Sequence, residues 1–224
     1  MKFKLFEKLA SLEGKELVML LIAAAVVCGL VTLLAVRRQK QGEKRNGLTG
    51  RASTRALVYG ALCLSLSFVL SYFKLFSMPF GGSVTLCSML PLVMYGVAYG
   101  PKRGFAAAFA YALLQIIQGA WIVHWAQFLL DYFVAFTLLG LGSFFPKKLP
   151  LGMAVAGLAR MCASIASGAI FFADGGLEYG IANPWLYALF YNGTTIGIDT
   201  VLCVAVSFLP PIKRLPALMK KGNG

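Results

Sequence analysis

The chain has 224 residues, 59% of them apolar and 13% charged, with a formal net charge of +13 and a mean hydropathy of +0.77. A soluble domain carries about 25% charged residues, so this apolar excess excludes a single soluble core and makes the chain an all-α, polytopic membrane protein. The apolar runs are continuous, which excludes a β-barrel with its short alternating segments, and the basic residues lie between runs, as topology signals and not as a nucleic-acid surface.

Seven apolar segments are predicted, at about 17–36, 54–73, 84–100, 104–121, 126–145, 150–172 and 186–209. Residues 1–36 form an N-terminal segment with an extra transmembrane helix. Sixteen mixed-charge residues precede its apolar run, and Arg37 and Arg38 follow directly. This pattern describes an uncleaved anchor, since a signal peptide has a short basic start and a cleavage site. Residues 37–53 are a basic cytoplasmic linker. Residues 54–212 form a six-helix transmembrane bundle, and 213–224 a basic cytoplasmic tail.

Lysine and arginine counts set the orientation. Seven fall in 37–55, then come Lys102 and Arg103, Lys147 and Lys148, and Lys213, Arg214, Lys220 and Lys221. All lie on one face if every segment spans, whereas the opposite loops hold only Lys74. The positive-inside rule puts the C-terminus in the cytoplasm of a multi-pass plasma-membrane protein. In the first core segment, Ala61 and Ser65 have the small-xxx-small spacing that lets another helix approach closely; that helix could belong to this bundle or to a partner.

The outer loops, 74–83, 121–125 and 173–185, are rich in aromatics and glycine. Two readings stay open for Trp125 and Trp185, an interfacial aromatic belt or a ligand site opening outward. The lone His124 reads as interfacial. Cys28, Cys63, Cys87, Cys162 and Cys203 lie in or beside apolar runs without CxxC spacing and read as small buried residues.

Asp131 is the only formal charge between residues 104 and 145. It lies about 9 Å into its helix at 1.5 Å per residue. Gln127 shares its face. A carboxylate at that depth is costly and marks a functional site, with a cationic or amine-bearing ligand the first candidate. Arg160 and Asp199 share a common depth near the middle of the last two segments, which predicts a structural ion pair between them. No P-loop, H-E-x-x-H or G-x-S-x-G is present. The chain is therefore read as no enzyme, with no catalytic or metal-ligating set and no cofactor of its own.

Several segments, in order, carry a family resemblance: GGSVTLCSMLP at 81–91, QFLLDYFVAF at 127–136, Leu158-Ala159-Arg160, Ser167-Gly168, Leu186-Tyr187 and Tyr191-Asn192-Gly193. Together they resemble the thiamine-specific substrate-binding (S) component of energy-coupling factor (ECF) vitamin transporters, over about residues 54–210. The resemblance implies a six-helix bundle that captures thiamine from outside. It also implies docking on a transmembrane coupling protein that carries two ATPases, which use the ATP. Ala61 and Ser65 fall where that family docks its partner. Asp131 falls at the acidic ligand position, with Trp121, Tyr132, Tyr187, Asn192 and Gly168 at further ligand positions. Ser164 stands where the family commonly has histidine, and Phe172 where it has a stacking tryptophan. Two alternatives are the same architecture for a thiamine precursor or another vitamin, and a self-contained channel or ion-coupled carrier.

Overall fold

The computed structural model describes residues 50–220. The predicted anchor helix at 17–36 and most of the linker at 37–53 lie outside them, as do the last four residues of the tail. The described chain is mostly helical. Helices α1 (Gly50–Tyr72), α2 (Met89–Tyr99), α3 (Pro101–Gly119), α4 (Trp125–Phe144), α5 (Leu149–Phe171) and α6 (Pro184–Ser207) form the bundle, and α7 (Pro210–Lys220) follows. Among the described residues four helices, in α1, α4, α5 and α6, are long and apolar enough to cross a membrane.

The segment expected as a span at 84–100 is different. Its first residues form strand β2 (Ser83–Thr85), antiparallel to β1 (Lys74–Ser77), and the helix that follows has only 11 residues. The loop expected at 74–83 is thus a hairpin, with a one-turn 3₁₀ helix (Pro79–Gly81) at its tip. The tail begins as a helix, Pro210–Lys220, packed on the bundle. The Tyr99 hydroxyl donates to the Met219 carbonyl at 2.9 Å, and Met219 packs with Cys63, Tyr95 and Ala98.

Local chemistry explains where the helices start. Pro101 and Pro184 take first-turn positions, where the missing N–H costs nothing. The Asn183 side chain caps α6 by accepting from the Trp185 N–H at 3.0 Å. His124 caps α4 in the same way, its Nδ1 accepting from the Ala126 N–H at 3.1 Å, and its ring stacks on Phe171.

The core lies among α2, α3, α4 and α5, around Met89, Leu92, Val93, Tyr111, Leu139, Leu149 and Met153. Away from the hairpin, glycines bring backbones together. A Cβ on Gly152 of α5 would meet the Gly142 carbonyl oxygen of α4 at 2.6 Å, and one on Gly96 of α2 would meet Ser143 Cβ at 3.0 Å. The regular α pattern breaks at Leu138–Phe144 of α4, which is 3₁₀-helical at the glycine end, and again toward the hairpin. Leu129–Val134 in α4 and Gly193–Gly197 in α6 are π-helical. Such segments insert an extra residue and re-aim the side chains around it, and they concentrate at functional sites.

Candidate ligand-binding site

Between the hairpin and the middle of the bundle lies a cavity of about 190 Å³. Helices α3 to α6 and the hairpin wall it. All eight residues predicted to meet a ligand line it: Trp121, Asp131, Tyr132, Ser164, Gly168, Phe172, Tyr187 and Asn192. They come from three helices and two loops, so the bundle gathers residues up to 71 positions apart (Trp121 to Asn192).

Asp131 sits within the π segment of α4. Its Oδ2 accepts from Gln127 Nε2 at 2.8 Å, and the same amide nitrogen donates to the Trp121 carbonyl at 3.1 Å. Gln127 is 2% exposed, so this bond fixes the carboxylate from a buried, rigid position. The hydroxyls of Ser164 and Ser167 on α5 lie beside it. The carboxylate has no salt-bridge partner among the described residues, which leaves its charge for the cavity. Tyr132, the next residue, accepts from the Trp121 N–H at 2.8 Å and so anchors the loop before α4.

Across the cavity, Asn192 ends the α-helical half of α6. Its Nδ2 donates to the Ser164 carbonyl at 3.2 Å and the Ala188 carbonyl at 2.9 Å. The contact depends on Gly168, where a Cβ would stand 3.1 Å from Ala188 Cβ and 3.3 Å from Asn192 Nδ2. Gly168 therefore serves the α5–α6 approach as well as the cavity wall.

The hairpin end is aromatic. Phe80 has a positive φ of 62° between Pro79 and Gly81, a conformation that costs about 1–3 kcal/mol in a non-glycine residue. Its ring lies 6.4 Å from Trp121 and 5.9 Å from Phe172, centroid to centroid. Tyr191 of α6 straps this tip down: its hydroxyl accepts from the Gly82 N–H at 2.8 Å and donates to the Pro79 carbonyl. Tyr191 and Phe80 line the cavity and were not singled out by sequence reasoning. Tyr191 stood inside a motif that could have pointed to it; Phe80 carried no signal.

One sequence expectation fails. Arg160 and Asp199 do not form the predicted ion pair among the described residues. Arg160 Nη1 contacts Met89 Sδ at 3.0 Å, and the guanidinium lies 4.2 Å from the centre of the Phe136 ring. Asp199 Oδ2 accepts instead from Thr85 Oγ1 at 2.9 Å. Equal depth put the two charges at one level, but the short hydroxyl arriving on β2 and the thioether on α2 offered nearer partners. Both residues line the cavity.

Ala61 and Ser65 are exposed on α1, in a surface shared with Leu57, Leu62, Leu66 and Val69. Gly60 faces inward, where a Cβ would meet the Tyr95 ring at 3.0 Å. The small-residue spacing of Ala61 and Ser65 is therefore not used within the described bundle.

Residues 57–219 match the model of the thiamine transporter protein family (Thia_YuaJ). The thiamine transporter ThiT of Bacillus subtilis (strain 168) is 31% identical over 147 residues, which are 58% of this chain and 75% of that protein. A solved structure of ThiT from Listeria monocytogenes superposes with a TM-score of 0.59. At 19% identity it covers 74% of this chain and 93% of its own, and establishes the common fold.

Proposed function

The chain belongs to the thiamine transporter protein family, and on that premise we propose that it captures thiamine in the cavity from the outer side of the membrane. The known members it matches are transporters and not enzymes. The observation that carries the proposal is the carboxylate of Asp131, held by Gln127 in a cavity ringed by Trp121, Phe80, Tyr132 and Phe172.

Thiamine joins a permanent thiazolium cation to an aminopyrimidine. A carboxylate in a low-dielectric cavity offsets the cation, and aromatic faces attract it. Phe172 supplies a ring with a weaker hold on a cation than tryptophan has. Ser164 supplies a hydroxyl where a histidine would supply an imidazole. The site therefore keeps the charge logic of thiamine recognition with smaller contacts.

The chain is, in this proposal, the S component of an ECF-type importer. Its partners are a transmembrane coupling protein and two ATPases, and the exposed Ala61–Ser65 surface is where the coupling protein docks. The supporting observation is that Ala61 and Ser65 on α1 are exposed and unused for packing among the described residues. The eight cavity residues are the proposed ligand contacts, and the C-terminus is cytoplasmic.

Mass spectrometry of ligand carried through purification, followed by calorimetry with thiamine, tests the proposal. Thiamine or its precursor should be recovered and should bind one to one. Recovery of riboflavin or biotin alone would overturn the ligand assignment. Uptake into liposomes by the chain alone would overturn the division of labour, since the proposal requires the coupling protein and ATPases.

A further inference from the structure

The end of the bundle opposite the hairpin holds more positive charge than its described residues neutralise. Helix α6 ends at Ser207 and α7 begins at Pro210, so α7 lies at the level where a membrane-spanning helix leaves the bilayer. It runs back against α2 and α5. Ile212, Pro216 and Met219 share its inner face: Pro216 and Met219 are buried, and Ile212 packs on the core. Tyr99 pins the last turn, its hydroxyl donating to the Met219 carbonyl at 2.9 Å. Lys213 and Arg214 are exposed, as is Leu218, and Phe208 and Leu209 are exposed where α6 joins α7. Basic side chains mixed with exposed apolar ones at a bilayer edge describe an interfacial helix.

The charges converge on one place. Lys147 and Lys148 precede α5, and Lys220 ends α7. Among the described residues, no aspartate or glutamate lies in the α4–α5 turn or in α7, and neither Lys147 nor Lys220 forms an ion pair. The two lysines feel each other instead. Partial desolvation against the bundle, and then the charge of Lys147, hold the Lys220 ammonium below the ordinary lysine range. Lys147 also has a φ of 70°, a backbone conformation that costs energy in a non-glycine residue. Its side chain is exposed, so no burial offsets that cost. Two like charges brought together at a desolvated edge are stabilised by an anion placed with them.

We propose that Lys147, Lys148 and Lys220, with the exposed face of α7, form a binding site for the phosphate headgroup of an anionic phospholipid. The phosphate relieves the repulsion between Lys147 and Lys220, and Phe208 and Leu209 enter the acyl-chain boundary. A lipid fits better than an acidic protein surface, because the site lies where α6 leaves the bilayer and exposed apolar side chains accompany its charge. Basic residues scattered over this end would orient the chain in the membrane without a site; the convergence of Lys147 and Lys220 adds one. The site works whatever ligand the cavity holds.

The test uses the full chain purified in a nonionic detergent and titrated with phosphatidylglycerol or phosphatidylcholine of the same acyl chains. Native mass spectrometry reads the bound lipid. Phosphatidylglycerol should bind at least about tenfold more tightly, and the preference should shrink as salt is raised. In the double variant Lys147→Gln with Lys220→Gln the preference should fall to within about threefold. Its melting temperature without lipid should stay level or rise, because a like-charge contact has been removed. Lys74→Gln, which removes the basic residue on β1 at the hairpin end, should keep the full preference. Equal binding of the two lipids, or an equal loss of preference in Lys74→Gln, overturns the inference. Displacement of the lipid by inorganic phosphate at equal concentration would make this a site for any small anion and overturns the lipid assignment. A double variant that keeps its lipid preference but no longer co-purifies with a coupling protein and ATPases would assign the lysines to a protein partner, which also overturns it.

Discussion

The two ends of this bundle are held by opposite means. At the basic end, helices touch through glycine, with Gly142 against Gly152 and Gly96 against Gly104 and Ser143. A Cβ on Gly142 or Gly152 would meet the other's backbone carbonyl, and one on Gly96 or Gly104 would meet Ser143 and the other glycine's Cα. At the hairpin end, two helices turn π-helical, a hairpin folds over the bundle, and contact is made by side-chain hydrogen bonds and rings. Close backbone packing fixes how the helices cross and leaves no space. The hairpin end gives up that packing, and the cavity lies there.

The comparison breaks first at the glycines. In Gly152→Val the new Cβ would stand 2.6 Å from the Gly142 carbonyl oxygen, which belongs to backbone and cannot rotate away. Overpacking at such a contact costs about 3 kcal/mol. The expected result is a large drop in melting temperature and loss of monodisperse protein, read by thermal unfolding in detergent. A stable variant with normal binding would mean that the glycine end is as adaptable as the cavity end.

Next in size is Asp131→Ala. It removes the charge at the hairpin end without touching the glycine contacts. Binding should weaken by about 2 kcal/mol or more, the scale of a lost charged hydrogen bond, while the melting temperature without ligand stays level or rises. Calorimetry with thiamine and unfolding without it separate the two effects. A variant that loses stability instead would make Asp131 a structural group.

Tyr191→Phe is smaller. It deletes the hydroxyl that joins the Gly82 N–H and the Pro79 carbonyl to α6. The hairpin keeps its ladder but loses this strap, so Phe80 is held less firmly over the cavity. A loss of about 1 kcal/mol is expected, the net value of a typical hydrogen bond. It should be seen mainly as faster release in stopped-flow tryptophan fluorescence. A change confined to stability would show that the strap serves the fold and not the site.

Sequence alone carried much of this picture, unevenly between the ends. The helices were legible as long apolar runs, and Asp131 as a charge with no company. The ordered motifs held Asp131, Tyr132, Gly168, Tyr187 and Asn192, and the family resemblance added Trp121, Ser164 and Phe172; all eight line the cavity. The hairpin was not legible because β1 is only four residues long and all four are exposed, so no alternation of burial marks it. The π segments left no mark because composition does not encode a shift of helical register. Helix α7 was not singled out within the basic tail; Pro210 and Pro211 open it and Pro216 is accommodated within it. Arg160 and Asp199 were given the wrong partners, because depth does not say which way a side chain turns.

The smallest effect bears most directly on the comparison. Phe172 directly follows α5, with its ring 5.9 Å from Phe80. Tryptophan holds a cation better than phenylalanine does, so Phe172→Trp should tighten thiamine binding by about 0.5 kcal/mol, roughly two- to threefold. The gain depends on space. If the hairpin end is open by construction, the larger ring displaces Phe80 slightly and meets the thiazolium. If that end is packed as tightly as the glycine end, the indole has nowhere to go. Affinity then falls and stability falls with it. Calorimetry and thermal unfolding on one preparation distinguish these outcomes, because a cation–π gain raises affinity and leaves the unliganded protein's melting temperature unchanged.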